Sequence, residues 1–490
     1  MYMKSALKQI VAIDTLILMA FYVQAQGLSC ASNIIQHSNN ELANNNINTQ
    51  KIRVMRSDQN TYIVLSKLSN GKSRFSCIGA YTGASHYIDF PSQYKVSDFE
   101  TFGDTIYFCG QYSGASYNEG FIGYIAETDL LTQTSKFRFS AIDKMSTINK
   151  MKVYHNTNTN CNTIVGIGPL RTELKDCMLL FRANKTSISG TSMYQTQYNI
   201  YKCQLGNSQE VLHDIAITNN YICLVGNNPS AENQYCGTYQ QMLLHRFNKT
   251  NPSLQTSNLL WLGDKPLVCS EKYHLETLNS DNVAIAYPGT ISVSADKTFC
   301  SVVYKLDLTT INNAVQIKSA SVFDANQDII NPILDIEYFQ NASLLVLKNN
   351  ADTNTFYTIS MDNNQTFPYS APTHYLSSAI YHFCNIIYIS RLVPSQYSQY
   401  YDSYATLIGT NNNSLLVKAE KNMSTIGLSP ETCVYSNSKQ IETFAHNQFS
   451  LYTLINLTFD ASYSSIVAEI SLPTINVYQS VTTICTCNQE

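Results

Sequence analysis

Tyrosine placement points most directly to chemistry in this sequence. Three long loops, 111–119 (QYSGASYNE), 227–239 (NNPSAENQYCGTY) and 394–404 (PSQYSQYYDSY), are rich in Tyr, Ser, Gly and Asn. Tyr offers a broad, rigid contact with a polar tip, while Ser, Gly and Asn adapt their hydrogen bonds. Tyr112, Tyr117, Tyr235, Tyr239, Tyr397, Tyr400, Tyr401 and Tyr404 are therefore the expected ligand-binding residues. The chain carries 34 Tyr, so loop tyrosines are common in any case, and the expectation requires that the three loops share one face.

Catalytic and metal signatures are weak. The nine His are scattered, and the sequence has no HExxH, GxSxG or phosphate-binding loop motif. Residues 324–328 (DANQD) with Asp335 have a calcium-loop spacing, but Ile329 stands where the sharp turn needs Gly. Cys485-x-Cys487 is too tight and isolated for zinc, and His374 and His382 read as structural or surface residues. Trp261, the single Trp, sits in LLWL and reads as core. Catalytic residues, metal and cofactor are thus all expected to be none. Paired carboxylates for glycoside hydrolysis meet only in space and leave no linear signature.

Composition narrows the partners. Lys+Arg total 31 and Asp+Glu 35, a net charge of -4, which argues against nucleic-acid binding. It also argues against a polybasic membrane-surface protein. Charged residues are only 13% of the chain, and the polarity comes from residues such as the 48 Asn.

The N-terminus has secretory features. Lys4 and Lys8 precede the apolar stretch 10–23, and Val23-Gln24-Ala25 fits a cleavage site, although Asp14 interrupts the stretch. About 14 apolar positions are too few for a membrane span. Residues 1–25 are expected to be a signal peptide, and the protein is expected to be secreted or on the outer cell surface. A lipid anchor at Cys30 is the competing reading, with Leu28 one position too close for the usual bacterial pattern. Residues 26–50, rich in Asn, read as a flexible tether, and 51–490 as the folded domain.

Fourteen Cys behind a signal peptide are compatible with disulfides. Cys161 with Cys177, and Cys223 with Cys236, each flank one loop and are the expected pairs. Other Cys lie in apolar runs, where a reduced thiol behaves as a small hydrophobe.

Almost every segment after the tether has strand signals, and no amphipathic helix of 12 residues stands out. One unit reads VSDFETF, a tight Gly103-Asp104 turn, TIYFCG, a polar loop, GFIGYIAE, and a fourth strand at 136–142. Similar units begin at 52, 97, 148, 212, 274, 333, 378 and 440. Four-stranded units at this spacing are the pattern of β-propeller blades, which bury both faces by stacking around an axis. The fold class is therefore all-β, a single β-propeller of seven or eight four-stranded blades. A pair of β-sandwiches is the alternative and explains the recurring unit less well.

The repeat, with its DTIYFCG (104–110) and GFIGYI (120–125) strands, resembles uncharacterised secreted β-propeller proteins of Bacteroidetes-type bacteria. The resemblance covers most of 52–470 and implies fold and surface location, not activity. Low charge and high Asn equally suit a protist protein. Residues 360–367 (SMDNNQTF) resemble the Asp-box of sialidase-type propellers, a stabilising turn between the outer strands of a blade. Asn364 replaces its Gly and Phe367 its Trp. Only eight Arg are present and no FRIP-like opening accompanies them, so a sialidase is not expected.

These features favour a non-enzymatic binding or adhesion module for an extracellular glycan or protein. A carbohydrate-active hydrolase or lyase with a site in the central funnel is the first alternative. The second is an extracellular assembly subunit that adds strands through its C-terminal segment, 472–486. Seven N-x-S/T sequons, at Asn184, Asn248, Asn341, Asn364, Asn412, Asn422 and Asn456, matter only in a eukaryotic secretory pathway.

Overall fold

The computed structural model describes residues 34–38, 48–55, 61–79, 84–132, 134–157, 160–172, 176–188, 191–203, 211–228, 232–233, 237–238, 241–250, 257–258, 273–278, 280–293, 296–311, 314–323, 333–339, 343–350, 353–360, 366–369, 388–391, 404–411, 414–421, 451–452, 454–457, 468–478 and 480–485. These residues are almost entirely β-strand, apart from one helical turn at Glu127–Leu130. None of the described helices is long and apolar enough to cross a membrane.

The main strands sort into seven antiparallel sheets, named here in chain order. Sheet 1 is Asn48–Val54, Thr61–Lys67, Ser73–Gly79 and Ala84–Asp89. Sheet 2 is Tyr94–Phe102, Thr105–Ser113, Asn118–Ala126 and Thr134–Ile142. Sheet 3 is Lys150–Asn156, Cys161–Pro169, Asp176–Ile188 and Thr191–Cys203. Sheet 4 is Val211–Ile217, Tyr221–Asn228 and Gln241–Asn248, with Ser257–Asn258 lying beside it. Sheet 5 is His274–Thr277, Asn282–Val293, Asp296–Ile311 and Ala314–Phe323. Sheet 6 is Ile333–Phe339, Ser343–Asn350, Thr353–Ser360 and Thr366–Tyr369. Sheet 7 is Tyr388–Arg391, Tyr404–Asn411 and Ser414–Lys421, with Ile34–Ser38 as its fourth strand.

The first strand of each sheet packs on the first strand of the next, and Tyr388–Arg391 packs back on Asn48–Val54. Neighbouring first strands run parallel, because Lys51 meets Asp98 while Arg53 meets Glu100 further along both.

Both faces of sheets 2 and 3 are covered, so their strands read as continuous apolar runs rather than alternating ones. In Thr105–Ser113, Ile106 and Phe108 pack toward sheet 1, while Tyr107 and Cys109 pack toward sheet 3. The wedge between sheets 1 and 2 is aromatic. Phe75, Phe90, Phe99, Phe108 and Phe137 meet with centroids 5.0–5.7 Å apart, mostly edge to face. That geometry lets the positive ring edge meet the negative face.

Several expectations change here. Ile34–Ser38 and the start of Asn48–Val54 are strands inside the segment read as a tether. The Asn-rich composition hid a short apolar pair, Ile34-Ile35, that suffices once two neighbouring strands supply its hydrogen bonds. The expected eighth copy near 440 forms no sheet of its own among the described residues. From Leu451 onward its strands add to the rims of other sheets: Leu454–Leu457 to sheet 3, Ala468–Pro473 to sheet 2, Ile475–Tyr478 to sheet 1 and Ser480–Cys485 to sheet 7. The long free edge that strand-adding assembly required at 472–486 is thus largely paired within the chain.

The Gly103-Asp104 turn forms as expected. Phe102 pairs with Thr105, and Gly103 takes φ 66°. The Asp-box-like segment also falls where expected, since Ser360 closes the third strand of sheet 6 and Thr366 opens the fourth.

Cys161 and Cys177 do not form the expected pair. Cys177 is opposite Gly168 in the hairpin, whereas Cys161 opens the partner strand seven positions earlier. Seven residues of strand span about 23 Å, far beyond a disulfide's Cα separation of about 7 Å. Both are buried thiols, and the Cys177 Sγ donates to the Gly168 carbonyl at 3.3 Å. Cys223 is likewise a buried thiol, and Cys236 lies outside the described residues.

Candidate functional site

Charged side chains line the packed first strands in a repeated arrangement. A bulge precedes Asp98 in sheet 2 and Asp214 in sheet 4, turning each carboxylate toward the neighbouring sheets. Asp98 Oδ1 accepts the Phe99 N–H at 2.9 Å, and Oδ2 accepts the Met151 N–H of sheet 3 at 2.9 Å. Asp214 Oδ1 accepts the Ile215 N–H, and Oδ2 accepts the Leu275 N–H of sheet 5, both at 2.9 Å. From the preceding sheet, Lys51 reaches Asp98 at 2.7 Å and Lys150 reaches Asp214 at 2.8 Å. Each Asp therefore joins three consecutive sheets.

Gly110 and Gly226 lie directly across from these bulges. A Cβ at either would sit 1.9 Å from the Lys95 carbonyl or 2.1 Å from the Val211 carbonyl. Close backbone approach requires glycine at both.

Glu100 gathers three cations: Lys51 at 2.8 Å, Arg53 at 3.1 Å and Lys152 at 3.2 Å. Burial alone would raise its carboxyl, but Arg53, Lys152 and Lys51 outweigh that and hold it well below the usual range. Asp214 is also held low, because Lys150, Lys152 and His274 outweigh its burial. Burial would lower the Lys152 ammonium, and Glu100 and Glu276 raise it instead. Such carboxylates stay ionised at neutral pH and act as fixed anions in a frame, not as proton donors.

Tyr112 and Tyr117 lie where the second strand of sheet 2 turns into the third. Tyr112 closes against Tyr94 with centroids 4.9 Å apart, and Tyr94 rests on Phe139 at 4.5 Å. Tyr117 is 50% exposed, and the Arg171 guanidinium lies 4.1 Å over its ring. The Gly114 N–H donates to the Tyr117 carbonyl at 3.1 Å and sets the turn. Arg171, from sheet 3, was not among the expected residues. Its isolated position after Leu170 carries no sequence signal that it reaches the sheet 2 loop.

The other tyrosines divide. Tyr235 and Tyr239 fall between the second and third strands of sheet 4, as expected, though both positions lie outside the described residues. The 394–404 loop does not. Tyr404 opens the second strand of sheet 7, so Tyr397, Tyr400 and Tyr401, outside the described residues, fall in the first-to-second connection. Tyr404 therefore stands at the opposite end of its sheet from where Tyr112 and Tyr117 stand in theirs. The short first strand YISR hid the boundary.

A hollow of about 340 Å³ opens at the first-to-second end, where the first strands of sheets 2 to 5 finish. Lys249, His155, Thr218 and Ser280 supply its polar wall and Phe102 part of its apolar wall. The Lys249 Nζ donates to the Thr218 carbonyl at 3.0 Å and lies 5.0 Å from the Tyr154 ring centroid. Burial lowers this ammonium's pKa, with Asp281 opposing. Positions 324–332 of the calcium-like spacing, His374, His382 and Trp261 lie outside the described residues.

No known protein family matches the sequence, and no curated protein matches it. Among solved structures, the chain is similar to polysaccharide lyase Uly1, with TM-score 0.46 and 8% identity over 76% of this chain and 90% of that one. It is similar to Drosophila Semaphorin 2a, with TM-score 0.38 and 9% identity over 80% of this chain and 75% of that one. The tricorn protease gives TM-score 0.39 and 8% identity over 79% of this chain and 36% of that one.

Proposed function

We propose that this chain is a secreted or surface-attached binding module built as a single seven-bladed β-propeller. Support for seven blades comes from the seven sheets and from first strands that pack in sequence and return to sheet 1. Support for secretion comes from the apolar N-terminal stretch and the cleavage-like Val23-Gln24-Ala25. The ligand is an extracellular glycan or protein, taken at the second-to-third end.

One observation carries the binding reading: the half-exposed Tyr117 ring lies under Arg171, across a junction between two sheets. Aromatic faces and planar guanidinium groups on a rigid base are enriched where proteins bind partners. Tyr112 extends the surface, and Tyr235 and Tyr239 belong to the corresponding connection of sheet 4.

The alternative is a carbohydrate-active site in the central funnel. It is favoured by the hollow holding Lys249 and His155, not by Asp98, Glu100 or Asp214, whose charges are engaged in the frame.

The test is a glycan array and a panel of extracellular proteins probed with the purified protein, with each spot checked for cleavage. Binding without cleavage, lost by at least about tenfold in Tyr117→Ala or Arg171→Ala, supports the proposal (about 1.4 kcal/mol). Tyr404→Ala, at the start of the second strand of sheet 7, should bind normally. Cleavage abolished by changes at His155 or Lys249 would replace the binding reading with the enzymatic one.

A further inference from the structure

The hollow where the first strands of sheets 2 to 5 finish holds polar groups that the ionic frame does not use. Lys249, just after the third strand of sheet 4, is pinned by three hydrogen bonds. Its N–H donates to the Asn220 carbonyl at 2.8 Å, its carbonyl accepts the Tyr154 hydroxyl at 3.4 Å, and its ammonium donates to the Thr218 carbonyl at 3.0 Å. Among the described residues, no carboxylate comes within ion-pair distance of that ammonium. Asp281 acts on it only from further away, and its oxygens are taken by the Thr218 hydroxyl and by the backbone and side-chain N–H groups of Asn220, at 2.7–2.9 Å. An ammonium has three donors, and one is spent on Thr218.

His155 is oriented by sheet 3. The Asn162 Nδ2 donates to the Tyr107 hydroxyl at 2.9 Å, which leaves Asn162 Oδ1 facing His155 Nδ1 at 3.2 Å. Nδ1 therefore carries the proton of the neutral imidazole, and Nε2 keeps its lone pair. Among the described residues, Nε2 has no hydrogen-bond partner. Ser280 adds a hydroxyl to the wall. It takes φ 46°, which residues other than glycine seldom adopt, and its carbonyl accepts the Asn219 N–H at 3.1 Å. Phe102, Ile217 and Leu278 give the hollow its apolar wall.

Each feature selects a ligand group. One ammonium without a counter-ion balances one negative charge, which fits a carboxylate better than a phosphate dianion. An imidazole lone pair needs a hydroxyl to donate to it. The apolar wall suits the C–H face of a small ring. A volume of about 340 Å³ lies at the small end of ligand pockets, which run from about 300 to 1,000 Å³.

We propose that this hollow binds a small hydroxylated carboxylate of monosaccharide size. Its carboxylate meets Lys249, a hydroxyl donates to His155 Nε2, and its apolar face lies against the wall that includes Phe102. The site is separate from the Tyr117–Arg171 surface, because Phe102 and Tyr112 mark opposite ends of the first hairpin of sheet 2. Either site can therefore fail without the other.

Titration calorimetry on the full chain tests it. The probes are D-glucuronate, D-galacturonate and D-gluconate, each compared with an uncharged counterpart, D-glucose, D-galactose and D-sorbitol. At least one acid should bind at least about tenfold more tightly than its counterpart. Lys249→Met should remove that advantage, and His155→Phe should weaken the acid by about threefold or more. Tyr117→Ala should leave its affinity unchanged. If all three acids bind no better than their counterparts, the proposal fails, and that comparison needs no variant to fold. Acid binding that survives Lys249→Met, or that Tyr117→Ala abolishes, would also overturn it.

Discussion

Removing the Asp98 carboxylate should loosen three sheets at once. Asp98 is buried, 3% exposed, and holds the Phe99 and Met151 N–H groups and the Lys51 ammonium. Asp98→Ala leaves two buried backbone donors without an acceptor, at about 1–3 kcal/mol each. Lys51 keeps Glu100 at 2.8 Å, so its loss is partial. The total is roughly 3–6 kcal/mol, a large part of a typical stability of about 5–15 kcal/mol. Asp98→Asn keeps the volume and one acceptor but turns an NH₂ toward groups that only donate, costing about 2–4 kcal/mol. Asp104→Ala, in the exposed turn of the same sheet, should stay within about 0.5 kcal/mol. Urea unfolding of the three variants measures these differences. An Asp98→Ala cost below about 1 kcal/mol, or no larger than that of Asp104→Ala, would refute the claim that this carboxylate joins the sheets.

Acid should destabilise the packed first strands through Glu100 and Asp214. Both carboxyls are held low in the folded chain, so their contribution is complete above the unfolded value near 4 and fades as pH falls through the lower native values. Urea midpoints should fall between pH 5 and pH 2, with a shallower fall in Glu100→Gln. Gly110→Ala would push a Cβ to 1.9 Å from the Lys95 carbonyl, and a loss of about 3 kcal/mol is expected in the same unfolding assay. Burial pushes the Cys223 thiol up to about 12, so maleimide at pH 8 should leave it unlabelled until denaturant is added. Cys161 and Cys177 should label in denaturant without a reductant, because the hairpin register holds them apart.

The strand content and most of the repeat were legible where both faces of a sheet are buried, as in sheets 2 and 3. Runs such as TIYFCG and CMLLF mark strands without ambiguity of period. Copy starts at 97, 148, 212, 274 and 333 fall within three residues of strands beginning at Tyr94, Lys150, Val211, His274 and Ile333. Other features depend on partners distant in the chain. A strand signal does not say which sheet it joins, so the rim strands after Leu451 read as another copy. The loop spacing of Cys161 and Cys177 misleads because register, not spacing, sets their distance. The bulge aspartates share a sequence signal: VSDFE, LHDIA and ILDIE align at Asp98, Asp214 and Asp335, each after a register shift.

That alignment also shows how neighbouring first strands are joined. Lysine precedes aspartate between sheets 1 and 2 and between sheets 3 and 4. By register, His274 and Asp335 occupy the corresponding first-strand positions in sheets 5 and 6. Lysines of sheets 1 and 3 thus meet aspartates of sheets 2 and 4, and the first strand of sheet 7, YISR, contains no carboxylate. Sheet 7 also receives both chain ends, Ile34–Ser38 pairing with Ser414–Lys421 on one side and Ser480–Cys485 on the other. Backbone pairing needs no charge pattern, and at sheet 7 it is supplied by strands distant in sequence.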